Sequence, residues 1–177
     1  MTVHVLVAYA SREGSTAQIA ETIAGVLREA GAEVDVLPVK EVRNLDGYDA
    51  LVLGSAVRIG KVLPEAVQLA KPHQHILADL PVVYFVGCDR MREDTPENRR
   101  ASLASMRALQ RIKEPVSVGL FAGKRDLHHP NPVLRWLLAR VNVVEGDWRD
   151  WSKIRAWATS LIRQFETPVL PGAATPE

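Results

Sequence analysis

Hydrophobic positions follow two patterns that alternate along the chain. Short, nearly continuous apolar runs are typical of buried strands, whereas apolar residues repeated every three to four positions are typical of helices. The runs predict five strands, over residues 3–9, 34–39, 49–54, 80–87 and 116–123. Pro38 lies in the second run, which places that strand near a sheet edge.

Helical spacing fills the intervals between these strands. Apolar residues from Ile19 to Ala30 repeat at that spacing, and Gly31 then ends the predicted helix. Residues 64–78 predict a second helix. Thr95 precedes a proline and a glutamate, a combination that caps and starts another helix.

The last helix has the clearest amphipathic pattern. Its apolar stripe runs from Ile154 to Phe165, and Asp147 is the predicted N-terminal cap. Strands and helices therefore alternate, which predicts a parallel sheet with helices on both faces. The expected fold class is α/β, with a doubly wound, five-stranded parallel sheet of order 2-1-3-4-5. In such sheets ligands bind beyond the carboxyl ends of the strands.

Composition narrows the class of protein without revealing its chemistry. The 177 residues fit one domain, predicted over 1–166 and followed by a mobile tail at 167–177 that is rich in proline, glycine and alanine. Cys88 is the only cysteine, so no internal disulfide can form and a cytoplasmic location is expected. The net charge of +1 predicts neither nucleic-acid binding nor a strongly acidic docking face.

A polar loop between the first strand and the first helix is the main candidate site. Backbone N–H groups at a helix start point toward a phosphate, Gly14 allows its close approach, and hydroxyls add donors. The loop matches neither the P-loop nor the dinucleotide-binding motif, which disfavours nucleoside triphosphates and dinucleotides. An ordinary capped turn is the alternative. The predicted phosphate-binding residues are Ser11, Arg12, Glu13, Gly14, Ser15 and Thr16.

This loop resembles the first loop of the flavodoxin family, which has the form S/T-x-x-G-x-T and wraps the phosphate of flavin mononucleotide (FMN). Ser11, Gly14 and Thr16 match that form. Within the family, the chain is similar to the flavodoxin-like, menaquinone-dependent protoporphyrinogen oxidases. Three stretches carry this likeness: residues 54–60, 119–125 and 147–162.

The resemblance implies that FMN is the cofactor and that the protein is an oxidoreductase of heme biosynthesis. Electrons are then expected to pass from an organic donor, through FMN, to a quinone-like acceptor. The chemistry belongs to the flavin, so no side chain is predicted to be catalytic.

The resemblance also implies two loops that hold the flavin ring. Gly60 in the first of them tolerates the backbone rotation that accompanies flavin reduction, and Arg58 places a positive charge near the ring. Neither loop contains the aromatic residue that many flavodoxins have there, so the ring is expected to be open to an organic substrate. The residues of the two loops are Ser55, Ala56, Val57, Arg58, Ile59 and Gly60, and then Gly87, Cys88, Asp89, Arg90 and Met91.

Cationic residues near the same loops predict an anionic, porphyrinogen-like substrate. The predicted substrate-binding residues are Arg58, Arg90, Lys124 and Arg125, because each can pair with a carboxylate. A solvated surface role is the alternative for Arg58. Cys88 is expected to be a packing residue, with a redox thiol as the alternative.

Two stretches after the fifth strand leave alternatives open. His128 and His129 have no acidic or cysteine partner at metal-binding spacing, so no metal is predicted and a solvated loop is expected. Residues 133–141 predict a short apolar helix edged with arginines. That helix either packs on its own sheet, which we favour, or makes a weak peripheral contact with the inner membrane face, where quinone dissolves.

Two other functions are compatible with the sequence. A non-enzymatic electron carrier would share the FMN site, but typical flavodoxins are strongly acidic and this chain has a net charge of +1. A flavin-free regulatory module would share only the fold, and the intact phosphate loop counts against it.

Overall fold

The computed structural model describes residues 2–125 and 146–166. Within them, six strands form the main sheet and two more form a small separate pair. The strands are β1 His4–Ala10, β2 Glu33–Pro38, β3 Ala50–Arg58, β4 Lys61–Val62, β5 Val82–Gly87, β6 Ser117–Phe121, β7 Lys124–Arg125 and β8 Gly146–Asp147. The helices are α1 Ser15–Glu29, α2 Pro64–Ala70, α3 Gln74–Leu77, α4 Pro96–Ser105, α5 Arg107–Gln110 and α6 Trp151–Glu166, with a 3-10 turn at Asp89–Arg92.

The main sheet has the order β2-β1-β3-β5-β6, and the strands along this path pair in parallel. β4 is a short antiparallel addition to β3. When the five parallel strands are numbered without β4, their order is 2-1-3-4-5, as in a doubly wound fold. The prediction of fold class is confirmed. Pro38 ends β2 at the sheet edge, opposite Tyr9.

The strand register brings the candidate loops to one edge of the sheet. Ala10 lies opposite Ser55, and Gly87 lies opposite both Ala56 and Phe121. The carboxyl ends of the four strands β1, β3, β5 and β6 therefore meet side by side. The loops that follow them surround the point where doubly wound sheets bind ligands.

Both faces of the sheet are buried, as the continuous apolar runs predict. Neighbouring residues of a strand point to opposite faces, so each strand contributes to two cores. One core packs the strands against α1 and α6, through Ile19, Ile23, Leu27, Ile154, Ala158 and Leu161. The other packs them against α2, α3 and α5, through Leu69, Leu77 and Leu109.

The predicted helix over residues 64–78 is wrong in its middle. The helix α2 stops at Ala70, and α3 begins at Gln74. Pro72 lies between them and explains the break, since proline has no N–H to donate to a carbonyl of the preceding turn and its ring crowds that turn. The two short helices cover the sheet together where one was expected.

The predicted cap of the last helix is also wrong. Asp147 belongs to β8, and Asp150 instead accepts a hydrogen bond of 3.0 Å from the Lys153 N–H at the start of α6. By contrast, the cap at Thr95 is confirmed, because its side chain accepts from the Asn98 N–H. Ala30 lies just past the end of α1 and is exposed, so the buried stripe of that helix ends at Leu27.

Several predictions concern residues outside the described part of the chain. They are the histidine loop at 126–132, the apolar helix at 133–141, the tail at 167–177 and the side chain of Arg125. Within the described residues, no helix combines the length and apolar character that crossing a membrane requires.

Candidate functional site

The loop at Ser11–Thr16 is arranged around a left-handed glycine. Gly14 caps α1 with φ +83°, a conformation that residues with a side chain rarely adopt. Its N–H donates to the Ser11 hydroxyl at 3.0 Å, and its carbonyl accepts from the Gln18 N–H at 3.1 Å. The N–H groups of Ser15, Thr16 and Ala17, at the start of α1, have no partner inside the helix, so they are available to an anion.

A buried hydroxyl lies beneath this loop. The Thr16 side chain is 0% exposed, and its Oγ1 has no hydrogen-bond partner within the described residues. A Cβ added to Gly87 would lie 3.4 Å from that oxygen, so the Thr16 hydroxyl lies between the phosphate loop and the end of β5. Leaving a buried hydroxyl unpaired costs about 1–3 kcal/mol, which a ligand oxygen would recover.

Ion pairs fix the two charged residues of the loop. Arg12 Nη2 lies 2.6 Å from Glu65 Oε1 at the start of α2, and Lys40 Nζ lies 3.8 Å from the same oxygen. The backbone N–H of Glu65, helped by Arg12, holds the pKa of that carboxyl below its usual range. Glu13 lies 3.8 Å from Arg58. Since Arg12 is already neutralised, the groups left for a phosphate are mainly neutral donors.

The segment Ser55–Gly60 is a strand and a tight turn instead of the predicted loop. β3 continues through Arg58, where it pairs with Lys61 of β4. Ile59 and Gly60 form the turn with φ of +49° and +68°, as a two-residue hairpin with positive φ at both central residues requires. Ile59 is fully exposed, at 101%. The prediction missed this hairpin because a single paired dipeptide, Lys61–Val62, gives almost no periodic signal.

The hairpin also uses one of the predicted flavin-binding side chains. Ser55 is buried, its hydroxyl donates to the Ala56 carbonyl at 2.8 Å, and it accepts from the Leu63 N–H at 2.9 Å. Ala56 and Val57 are half-buried, whereas Arg58 is exposed. Of this group, the side chains of Arg58 and Ile59 are the ones open to a ligand.

The segment Gly87–Met91 turns back over the sheet end. The Cys88 N–H donates to the Phe121 carbonyl at 2.9 Å, and a 3-10 turn begins at Asp89. Cys88 and Met91 are buried in a small cluster with Ala122, and Asp89 and Arg90 are exposed. The structure therefore divides this loop into a packed base and an open, charged rim.

Lys124, in β7, extends the same rim. Its side chain is exposed, and its backbone pairs with Asp147 of β8. The exposed cations Arg58, Arg90 and Lys124 thus all belong to segments that leave the carboxyl ends of the parallel strands. Sequence reasoning selected these three residues, and their role in binding stays a prediction.

Sequence analysis assigned no role in the site to the residues at 146–153, which we call the connecting segment. The Trp148 ring packs against the base of the Cys88–Met91 cluster, with the Arg92 guanidinium 5.0 Å from its centroid. Arg149 reaches the first turn of α1, where it hydrogen-bonds Gln18. The signal present in the sequence was the unusual run Asp-Trp-Arg-Asp-Trp, which puts two carboxylates and two indoles around one arginine.

The comparison with known families agrees with this geometry. Residues 6–151 match the flavodoxin domain. The chain belongs to the flavodoxin family. The flavodoxin of Fusobacterium nucleatum bound to FMN superposes with a TM-score of 0.56 at 15% identity, over 92% of this chain and 99% of that one, which is a likeness of fold.

Two curated relatives span nearly all of this flavodoxin-family chain. The protein named protoporphyrinogen IX dehydrogenase [quinone] of Escherichia coli K12 is 24% identical over 183 residues, which cover 93% of this chain and 98% of that protein. The Leishmania major protein of the same name is 26% identical over 188 residues, covering 97% and 80%. The resemblance to the flavodoxin-like protoporphyrinogen oxidases is confirmed.

The residues present fit the flavin that family membership supports. Gly14 leaves open space where a Cβ would stand, and the Thr16 hydroxyl is buried without a partner in the described chain. A helix start, an unpaired hydroxyl and a glycine with open space form a cradle for a phosphate monoester. The protein is therefore a flavodoxin-type oxidoreductase or electron carrier with a site suited to a flavin.

Proposed function

We propose that this protein is an FMN-dependent oxidoreductase that oxidises a porphyrinogen-like substrate and reduces a quinone. The observation that carries the proposal is the rim of exposed cations, Arg58, Arg90 and Lys124, beside the flavin loops. The names of the two full-length relatives support the same substrate and acceptor. When bound, FMN supplies the transfer of electrons between the organic donor and the quinone.

The phosphate loop holds the cofactor in this proposal. The Thr16 hydroxyl and the N–H groups of the first turn of α1 donate to the phosphate, and Gly14 permits its close approach. The segments Ser55–Gly60 and Gly87–Met91 lie along the ring. No aromatic side chain occurs in either segment, so one side of the ring stays accessible to a bulky donor.

The cationic rim selects the substrate. A porphyrinogen with carboxylate side chains is large and anionic, and it can pair with arginine and lysine while its macrocycle approaches the flavin. Each exposed pair contributes under about 1 kcal/mol, so several weak pairs together set the substrate constant. A near-neutral net charge of +1 fits this local recognition better than long-range docking to a basic protein.

The test is the appearance of porphyrin fluorescence from protoporphyrinogen, with FMN-loaded protein and a menaquinone analogue under anaerobic conditions. We expect a rate above that of the same mixture without protein. Arg90→Ala combined with Lys124→Ala should raise KM by about three- to tenfold. The matched control is Arg111→Ala, an exposed arginine that follows α5 and precedes the amino end of β6.

Two results would count against the proposal. If loaded protein gives no porphyrin above background with any quinone, the oxidase assignment fails. If the enzyme turns over but Arg111→Ala raises KM as much as the double variant, the rim does not select the substrate.

A further inference from the structure

Arg149 is a buried cation, and each of its three side-chain nitrogens has a hydrogen-bond partner. Its side chain is 4% exposed. Nε donates to Asp147 at 2.7 Å and Nη2 donates to the other oxygen of the same carboxylate. Nη1 donates to the Gln18 amide oxygen and lies 3.5 Å from the Ser15 carbonyl oxygen, while the Trp151 ring covers the guanidinium at 4.5 Å.

The position of this cation is electrostatically unfavourable by itself. Ser15 and Gln18 form the first turn of α1, and the start of a helix carries partial positive charge. Asp147 compensates for the charge, and the guanidinium holds the pKa of that carboxyl below its usual range. Arg149 therefore adds little net charge at the helix start. It instead holds the neighbouring groups in a fixed geometry, a task that suits a planar guanidinium.

The same connecting segment also contacts the second candidate loop. The Trp148 ring lies against Arg92, at the end of the 3-10 turn that follows Cys88. Lys153 Nζ lies 3.5 Å from Asp94. Residues 146–153 therefore link the phosphate loop to the ring-side loop, although they lie far from both in sequence.

We infer that Arg149 is a positioning residue for the phosphate loop. By holding Ser15 and Gln18, its guanidinium fixes the first turn of α1, whose N–H groups face the phosphate. The inference rests on the proposed FMN site and adds to it a residue remote in sequence that sets selectivity for a phosphorylated flavin.

The experiment compares the dissociation constants of FMN and riboflavin for the full chain, measured by quenching of flavin fluorescence. Riboflavin has the same ring without the phosphate. Arg149→Ala should raise the FMN constant by about tenfold or more and the riboflavin constant by less than about twofold. Arg155→Ala is the matched control, because Arg155, in α6, also contacts α1, at 2.9 Å from Glu29, but at the far end of α1. It should change neither constant.

Removing Arg149 also leaves Asp147 unpaired near the site, so a second variant separates charge from position. Asp147→Asn with Arg149→Ala carries no unpaired carboxylate, and we expect its FMN affinity to stay about tenfold weak. Arg149→Lys keeps the charge without the planar fork and should recover only part of the affinity.

The outcomes distinguish this inference from the proposed function. Equal loss of FMN and riboflavin affinity in Arg149→Ala would indicate general destabilisation and overturn it, as would no loss of FMN affinity. Full recovery in the double variant would also overturn it, since repulsion by Asp147 would then explain the effect. If the wild-type protein binds no FMN, the proposed function fails together with it.

Discussion

The phosphate loop and the hairpin turn lie at the same edge of the sheet but differ in how they are held. Around Gly14 the loop is tied by hydrogen bonds of 3.0 and 3.1 Å, and Thr16 is entirely buried. At the hairpin turn, Ile59 is fully exposed and has a positive φ of +49°, an unfavourable conformation for a β-branched residue. One region is fixed by the fold and the other projects from it.

We expect this difference to separate two tasks of the proposed site. A loop tied by hydrogen bonds above a buried Thr16 hydroxyl suits the permanent binding of a cofactor phosphate, since its donors are held in place beforehand. An exposed turn flanked by Arg58 and Lys61 suits contact with a substrate that comes and goes. We therefore expect changes in the loop to act on cofactor affinity and changes in the turn to act mainly on stability and substrate.

The largest effect should come from Gly14→Val. Space around the glycine is open, so the flavin-free fold should lose only the cost of a left-handed residue, about 1–2 kcal/mol. FMN binding should lose a further ~2–3 kcal/mol, because the added side chain stands where the phosphate approaches. Gly47→Val is the control, since Gly47 has the same φ of +83° and the same open space away from the loop. Thermal unfolding and FMN titration of both variants provide the measurement, and similar FMN affinities in the two would contradict the account.

Thr16→Val should have opposite effects on stability and on binding. Replacing an unpaired buried hydroxyl with a methyl group of similar size should stabilise the flavin-free protein by about 1 kcal/mol. FMN affinity should fall about tenfold, because one donor to the phosphate is lost. Thr16→Ser retains the hydroxyl and should bind FMN normally. Urea unfolding without flavin measures the change in stability, and FMN titration measures the change in affinity. A Thr16→Val protein that is less stable and binds FMN normally would contradict this interpretation.

Ile59→Asn should stabilise the protein by about 1 kcal/mol, because Asn-Gly suits a turn with positive φ at both central residues and Ile does not. Nothing buried is lost, since Ile59 is fully exposed. Val116→Asn is the control, an exposed β-branched residue without a positive φ, and it should give no such gain. Urea unfolding measures both, and a destabilised Ile59→Asn would show that the turn makes a contact absent from this account.

The smallest effect should come from removing the Arg12–Glu65 pair with Arg12→Met and Glu65→Gln together. If neutral donors hold the phosphate, FMN affinity at pH 7 should change by less than about threefold. The backbone N–H of Glu65 and, after it, Arg12 hold the pKa of the Glu65 carboxyl below its usual range. The charged carboxyl therefore stabilises the protein above the usual carboxyl pKa, and this contribution is lost only as pH falls through the lowered value. FMN titrations between pH 6 and 8 therefore compare the wild-type protein, with its ion pair intact, and the double variant, which lacks it. A loss of more than tenfold would show that Arg12 binds the phosphate as a charge.

Sequence patterns predicted the sheet well because parallel strands buried on both faces read as continuous apolar runs. The strand order followed from the alternation of strands and helices, and the run 80–87 is buried throughout Val82–Gly87. The predicted helix at 64–78 failed because apolar spacing was followed across Pro72, whose backbone restriction outweighs the pattern.

The candidate site likewise has a part that the sequence predicts and a part that it does not. The loop Ser11–Thr16 was predictable because its chemistry is local, within one strand-to-helix connection. The pairing of Arg12 with Glu65 and the contact of Arg149 with Ser15 were not, since the latter joins residues 134 positions apart. Such contacts depend on which elements pack together in the fold, which no local pattern records.

The most direct test of the central claim is a titration of the purified, flavin-free protein with FMN and with riboflavin, followed by quenching of flavin fluorescence. The account predicts that FMN binds at least about tenfold more tightly, because Thr16 and the first turn of α1 recognise the phosphate. Thr16→Val should reduce the difference between the two affinities, because it weakens the binding of FMN and leaves the binding of riboflavin unchanged. Equal affinities for the two flavins would contradict the assignment of Ser11–Thr16 as the phosphate site.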